Sequence, residues 1–376
     1  MEYLPSNILA ISYAKNILKV DSRERSRMKR YASRMNEHHI IVFTKKNEGF
    51  PNFQQDENLF LYATNANSKL GMVWSALKIG SRITKERRTE NWIISSQDPF
   101  ESSFVGRGIA KRIKAKHHVQ IHGDVFNPLS YKESPLQYLR VIYGRFVVKH
   151  SSYIRAVSNR IKKSLIALGV KESAVTVLPI QADMSDFINA GESREYSIKD
   201  AVRFLYVGRF SREKNISLLI KAFFEAQKTG QAELVLVGDG PEKEQLSKLV
   251  SDLGIKDKVY FKGWTDDVSS EMTNSNVFCL SSNHEGWGMV LLEASATGMA
   301  VLTTDVGCAG DCVIDGESGK VVPVGDVDAY QAAMEDYIKN HELIYEHGLS
   351  ARRNAVKFSL SEDEYLDKLV QSYYLK

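Results

Sequence analysis

The stretch Val202-Arg203-Phe204-Leu205-Tyr206-Val207-Gly208-Arg209-Phe210-Ser211-Arg212-Glu213-Lys214-Asn215 is a short apolar run that stops at a glycine and turns charged. A run of this length, rich in Val and aromatic residues, reads as a strand covered on both faces. Residues 216–228 then place apolar side chains at helical spacing. A covered strand followed at once by a helix is the first half of a parallel βαβ unit.

The same alternation continues downstream. Strands are expected at 233–237, 259–261, 277–280, 300–303 and 320–322, with helices between them. Gly238-Asp239-Gly240 closes the first of these strands. Pro241 is expected to open the following helix at its favoured first position, and Gly254 to end it. Upstream, strand patterns fall at 8–11, 40–43, 59–62, 92–95, 118–121, 154–157 and 175–178. Between the halves, 189–200 (NAGESREYSIKD) is polar and aperiodic and reads as a linker. The expected organisation is therefore an α/β domain over 1–188, a linker over 189–200 and a second α/β domain over 201–355. A final helical stretch, 356–376, is expected to pack back on the first domain.

With 376 residues, 43% hydrophobic and 26% charged, the chain has the composition of a globular protein of two domains. No apolar run approaches the roughly 20 residues of a membrane-spanning helix. The opening Met1-Glu2-Tyr3-Leu4-Pro5-Ser6-Asn7 lacks the basic-then-apolar pattern of a secretory signal. Cys279, Cys308 and Cys312 make neither a disulfide framework nor a zinc set, and are read as reduced, small hydrophobes in a cytoplasmic protein.

The net charge of +4 conceals a division. Residues 1–190 carry 30 Lys and Arg against 16 Asp and Glu, whereas the remainder carries 20 against 30. The first half is therefore expected to face an anionic partner, such as a membrane surface or a pyrophosphate-bearing lipid. Its basic stretches lack interleaved aromatics, which argues against nucleic acid.

Parallel sheets bind ligands beyond the carboxyl ends of their strands, so the chemistry is sought there. Gly208 lets the backbone approach a ligand, and Arg209 and Lys214 set two cations just before a helix N-terminus, an arrangement suited to a diphosphate. After 277–280 comes Ser281-Ser282-Asn283-His284-Glu285-Gly286-Trp287-Gly288-Met289-Val290-Leu291-Leu292-Glu293. Glu285 falls in the loop, and Glu293 about one turn into a helix starting near Met289. Paired carboxylates suit a polyol, since each accepts several hydroxyl hydrogen bonds. In the first half, His122 and Asp124 stand at the end of a strand, as do Gln97-Asp98-Pro99-Phe100. Gly316-Glu317-Ser318-Gly319-Lys320 fails as a P-loop because a strand follows it. No G-x-G-x-x-G follows the first strand, and no Asp-x-Asp is present to hold a metal against a diphosphate.

In this order and spacing, Val207-Gly208-Arg209-Phe210-Ser211-x-x-Lys214-Asn215, Leu236-Val237-Gly238-Asp239-Gly240-Pro241, Gly263-Trp264, Glu285 with Glu293, Gly298 and Asp305-Val306-Gly307 resemble the retaining glycosyltransferases of family 4. Gln97-Asp98-Pro99-Phe100-Glu101 and Gln120-Ile121-His122-Gly123-Asp124 are similar to a subgroup associated with cell-surface polysaccharide assembly. The resemblance implies a GT-B fold, two facing Rossmann-like domains with parallel sheets. It implies that Arg209 and Lys214 hold the donor diphosphate, Glu285 the donor sugar and Glu293 the ribose. Backbone of Gly286, Trp287, Gly288, Met289 and Val290 would line sugar and phosphate. Gly263 and Trp264 would border the base, and His122 would touch the donor sugar from the other domain.

Two departures stand out. The family's glycine-rich loop after the first strand reads Lys19-Val20-Asp21-Ser22-Arg23-Glu24-Arg25-Ser26-Arg27 here, so Arg23, Arg25 or Arg27 is expected to supply charge instead. The family's Pro-Asn-Gly reads Pro179-Ile180-Gln181.

The activity so implied is hexosyl transfer with retention, from a UDP- or GDP-sugar to a glycan or polyprenyl-linked acceptor, with no metal and no other cofactor. The expected location is cytoplasmic and peripheral on the membrane. Arg23, Arg25, Arg27, Lys29, Arg30 and the amphipathic stretch 136–149 are the expected membrane contacts. A nucleotide-sugar epimerase or hydrolase, and a non-catalytic nucleotide-sugar-binding protein, remain open as rival readings.

Overall fold

The computed structural model describes residues 7–87, 91–126, 135–181, 183–198 and 200–374; Met1–Ser6 of the N-terminal reading lie outside them. They form two units, one made of residues up to Val157, Ile161–Leu178 and Ser361 onward, the other of Ser158–Arg160 and Pro179–Leu360.

In the first unit, every residue of β1 (Asn7–Ser12) is buried, as a strand covered on both faces must be. With β2 (Glu37–Val42), β3 (Phe53–Asp56), β4 (Leu59–Ala63), β5 (Trp92–Ser96), β6 (Lys116–Ile121), β7 (Tyr153–Ala156) and β8 (Val175–Val177) it forms one sheet in the order β3-β4-β2-β1-β5-β6-β7-β8. All pairings are parallel except β3 with β4. The seven expected strands are present. The unexpected one, β3, is polar (Phe-Gln-Gln-Asp) and half exposed, an edge strand with no apolar run to announce it. Leu9, Ile11, Ile41, Ile94, Val105 and Ile109 meet in the core on one sheet face.

The helix Glu362–Ser372 belongs to this unit. Ser361 and Glu364 close a capping box at its start, and the Arg155 guanidinium donates to Tyr365 Oη at 2.6 Å and to Gln120 Oε1 at 2.9 Å. Tyr373 lies against His118 with ring centroids 4.5 Å apart.

The second unit has the order β11-β10-β9-β12-β13-β14, from β9 (Val202–Val207), β10 (Ala232–Val237), β11 (Val259–Lys262), β12 (Val277–Leu280), β13 (Ala300–Thr304) and β14 (Gly319–Val322). Every pairing is parallel. Chain order reverses between β9 and β12, which makes the crevice beyond their carboxyl ends the favoured ligand site; in the first unit the reversal lies between β1 and β5.

Two local expectations differ from what is observed. Part of the supposed linker is helical: Ser185–Glu192 forms a helix grouped with the second unit, packed on helices Val268–Thr273 and Met289–Ala296. Met184, just before it, is 3% exposed, so tertiary contact rather than periodicity makes this segment helical. Pro241 sits in the turn before helix Lys243–Asp252, not at its first position. Among the described residues, no helix is long and apolar enough to cross a membrane.

Candidate functional site

The loops after β9 and β12 are tied together at the reversal point of the second sheet. Lys214 ends a short 3-10 turn, and its Nζ donates to Glu285 Oε1 at 2.6 Å. Ser282 Oγ donates to the same oxygen at 2.7 Å, which leaves Oε2 without a partner among the described residues. The Asn283 N–H donates to Glu213 O at 2.8 Å, and Ser281 Oγ donates to Lys214 O at 3.0 Å. Asn215, in the left-handed conformation before helix Ile216–Ala226, donates from Nδ2 to Asn283 Oδ1 at 3.1 Å. Lys214 and Glu285 side chains are 22% and 13% exposed, so the pair sits in a partly desolvated pocket with fixed geometry.

Gly288, at φ +79°, turns the chain into helix Met289–Ala296, and Glu293 follows one turn in. Burial raises the Glu293 carboxyl above the usual carboxylate range. It has no ion-pair or hydrogen-bond partner among the described residues. A half-buried acid without a protein partner is costly, which makes Glu293 a candidate ligand contact. The loop is backed by Trp287, 2% exposed with its ring 5.5 Å from that of Phe358, so Trp287 anchors from the core side. Gly307, at φ +58°, presses on the same loop: a Cβ there would lie 2.6 Å from Trp287 O and 3.1 Å from Glu285 Cβ.

Beside this crevice, the glycines after β9, β10 and β11 interlock. A Cβ at Gly238 (φ +136°) would fall 2.0 Å from Gly208 O, and the Gly238 N–H donates to Gly263 O at 3.2 Å. Tyr206 Oη donates to Arg209 O at 3.1 Å and shapes the turn, while the exposed Arg209 guanidinium has no acidic partner among the described residues. Trp264 is 66% exposed. The second unit thus brings together Gly208, Arg209, Lys214, Glu285, Gly286, Gly288, Met289, Val290 and Glu293 on loops and a helix start at one sheet edge, with Gly263 and Trp264 after β11. Sequence reading missed Ser281, Ser282 and Asn283 as the residues that fix Glu285. Their signal was their position directly after an apolar strand.

In the first unit, His122 follows β6, with Nε2 3.2 Å from Gln97 Oε1 beyond β5. Burial, then the charges of Arg155 and Arg27, hold His122 down to about 4, so its ring is neutral at pH 7. Asp98 is pushed up by burial and accepts the Phe100 N–H at 2.7 Å, a turn-closing role.

The arginine run differs from expectation. Ser22 caps helix Arg23–Ala32, and Arg25 is buried, donating to Gln54 Oε1 and pairing with Asp56 at 3.5 Å. Lys29 pairs with Asp56 and Glu57, and Arg30 with Glu362. Arg25, Lys29 and Arg30 are thereby engaged within the unit, because the edge strand β3 and the last helix supply acids that no local pattern reveals.

Two parallel-sheet, Rossmann-like units in one chain, each with its reversal point, define the GT-B fold. HepE of Anabaena in complex with UDP superposes with a TM-score of 0.72 and 16% identity, covering 98% of this chain and 99% of that one. Residues 192–355 match the family model described as "Glycosyl transferases group 1", so the resemblance drawn from the motifs holds over the unit that carries them. The N-acetyl-alpha-D-glucosaminyl L-malate synthase of Bacillus anthracis is 32% identical over 181 residues, 48% of this chain and 46% of that protein. The lipopolysaccharide core biosynthesis glycosyltransferase LpsE of Rhizobium meliloti is 37% identical over 144 residues, 38% of this chain and 42% of that protein. The matched segments span less than half the length of either relative.

Proposed function

We propose that this protein is a retaining glycosyltransferase that moves a hexosyl unit from a UDP- or GDP-sugar to a glycan or polyprenyl-linked acceptor in cell-surface polysaccharide synthesis. The observation that carries the reading is the pair of carboxylates at the β9/β12 crevice: among the described residues, Glu285 is held by Lys214 and Ser282 with one oxygen spare, and Glu293 is half-buried without a partner. Glu293 takes the ribose hydroxyls and Glu285 the sugar hydroxyls. Arg209, Lys214 and the N-terminus of helix Met289–Ala296 offset the charge that develops on the departing diphosphate, with no metal required. The relatives' names, one of them an enzyme of lipopolysaccharide core synthesis, and the UDP bound by HepE support this donor and pathway class.

In the proposed step the bond from the anomeric carbon to the phosphate oxygen breaks as the acceptor oxygen attacks from the same face. The acceptor's proton goes to the leaving phosphate. His122, neutral at pH 7, serves as a hydrogen-bonding group for the sugar rather than a cation. The protein works in the cytoplasm and is peripheral on the membrane.

The test is turnover of a panel of UDP- and GDP-sugars with and without lipid-linked acceptor. Wild type should release nucleoside diphosphate in an acceptor-dependent manner, and Glu285→Ala should not while keeping its circular dichroism. Equal turnover in Glu285→Ala sinks the site. Turnover without acceptor moves the reading to a hydrolase or epimerase.

A further inference from the structure

An apolar surface lies on three helices of the first unit: Lys69–Glu86, Glu101–Ile113 and Pro135–Lys149. Each buries one face in the ordinary way. The first does so with Met72, Ala76, Gly80 and Ile83, the third with Val141, Gly144, Val147 and Val148. Their outer faces should then be polar, and they are not. Leu70 is 75% exposed, Trp74 66%, Leu136 70% and Leu139 62%, and Phe104 and Phe146 are about half exposed. A surface helix that is apolar on both sides lacks a cover on one of them.

These side chains form one surface. Leu70, Phe104, Leu139 and Tyr143 line a single cleft of about 350 Å³. Tyr143 continues the strip, with its ring 6.1 Å from Phe104 and 6.5 Å from Phe146. The Arg107 guanidinium lies 4.8 Å over the Phe146 ring, and Trp74 stands one turn beyond Leu70.

Charge says what covers it. Lys78, Arg107, Lys111 and Lys149 accompany the apolar strip on the same helices. Glu86 and Glu101 are the sole acids on the three helices, and Glu101 is already paired with Arg140 at 2.8 Å. A second copy of this chain would set these cations against one another. An apolar strip with a cationic margin instead matches a bilayer of anionic lipid, where the rings and leucines enter the acyl boundary and the cations meet headgroups.

We propose that the outer face of these three helices is the surface by which the protein seats on an anionic membrane. This rests on the peripheral-membrane part of the reading above and is independent of sugar transfer. It moves the contact away from helix Arg23–Ala32, whose Arg25, Lys29 and Arg30 are ion-paired within the unit.

The test is flotation of the full chain with phosphatidylcholine vesicles, with and without phosphatidylglycerol. Wild type should float with the anionic vesicles only, and release as salt shortens the screening length from about 10 Å at 0.1 M to about 3 Å at 1 M. Leu139→Glu with Phe146→Glu should cut binding at least about tenfold, and Lys111→Glu about fivefold or more. Both variants alter side chains outside the core, and their nucleotide-induced thermal shift should stay that of wild type. That readout separates loss of membrane seating from loss of the donor site. Trp92 and Trp287 are buried and the exposed Trp264 lies in the second unit, not on these helices, so a vesicle-induced blue shift of fluorescence should disappear in Trp74→Phe and persist in Trp264→Phe. Failure of the wild type to float, or undiminished binding by Leu139→Glu with Phe146→Glu, overturns the proposal. So does concentration-dependent dimerisation of wild type, abolished in that variant, without vesicle binding.

Discussion

Both sheets reverse their chain order once, yet the two reversal points are built from opposite materials. Beyond β9 and β12 the second unit spends glycines and charges: interlocked backbone at Gly208 and Gly238, a fixed Lys214–Glu285 pair, and a Glu293 without a partner among the described residues. The first unit has no glycine between β1 and its first α-helix, and surrounds its sheet with neutral, buried histidines. His38 is held down to about 3, His39 to about 4 and His117 to about 3, each by burial. The proposed donor, an anionic and polyhydroxyl ligand, needs close backbone approach and charge held in place, and the second reversal point supplies both.

The contrast breaks most sharply at Lys214. Lys214→Met removes a cation from the crevice and strands Glu285, and kcat/KM for sugar transfer should fall about 10²- to 10³-fold. Steady-state kinetics decide it, with His122→Ala measured alongside. Next comes the interlock. Gly238→Ala forces a Cβ onto Gly208 O in a backbone conformation unsuited to alanine, and should cost about 3 kcal/mol or more in urea unfolding. Gly263→Ala meets nothing within 4 Å and should change stability little, so similar losses from both would refute the interlock.

Acid should separate the units. A histidine whose folded pKa is depressed has the same charge in both states above about 6.5; as pH falls from there toward 4, the unfolded chain gains the proton first. Each of His38, His39 and His117 then removes about 1.4 kcal/mol of stability per pH unit over that window. Calorimetry at pH 7 and pH 5 should show the transition of the first unit falling further than that of the second. Equal shifts count against the assignment.

The smallest effect is at Glu293. Its folded pKa is raised, so ionisation opposes folding once pH passes the unfolded value of about 4.3, and the cost grows until pH exceeds the folded value. Glu293→Gln should therefore melt no lower than wild type without ligand, and gain less from added nucleotide. A lower melting temperature of the free variant would mean that the acid is structural.

Strand positions were legible because parallel strands covered on both faces are continuous apolar runs, as in 202–207 and 277–280. The polar edge strand β3 and the helix Ser185–Glu192 were not, since pairing at an edge and packing on Met289–Ala296 act across the chain rather than along it. Glu285 and Glu293 were legible from spacing beyond a strand end. What holds Glu285, namely Lys214 from another strand's loop and Ser282, emerges only when β9 and β12 lie side by side. For the same reason Arg25 read as free charge although Asp56 and Gln54 enclose it.

The central claim is that the β9/β12 crevice binds a nucleoside diphosphate through Glu293. It is tested most directly by isothermal titration of UDP and of GDP, with chelator present, into wild type, Glu293→Ala and His122→Ala. One nucleotide should bind wild type and His122→Ala alike, and Glu293→Ala about 10- to 100-fold more weakly. Unchanged affinity in Glu293→Ala would contradict the account.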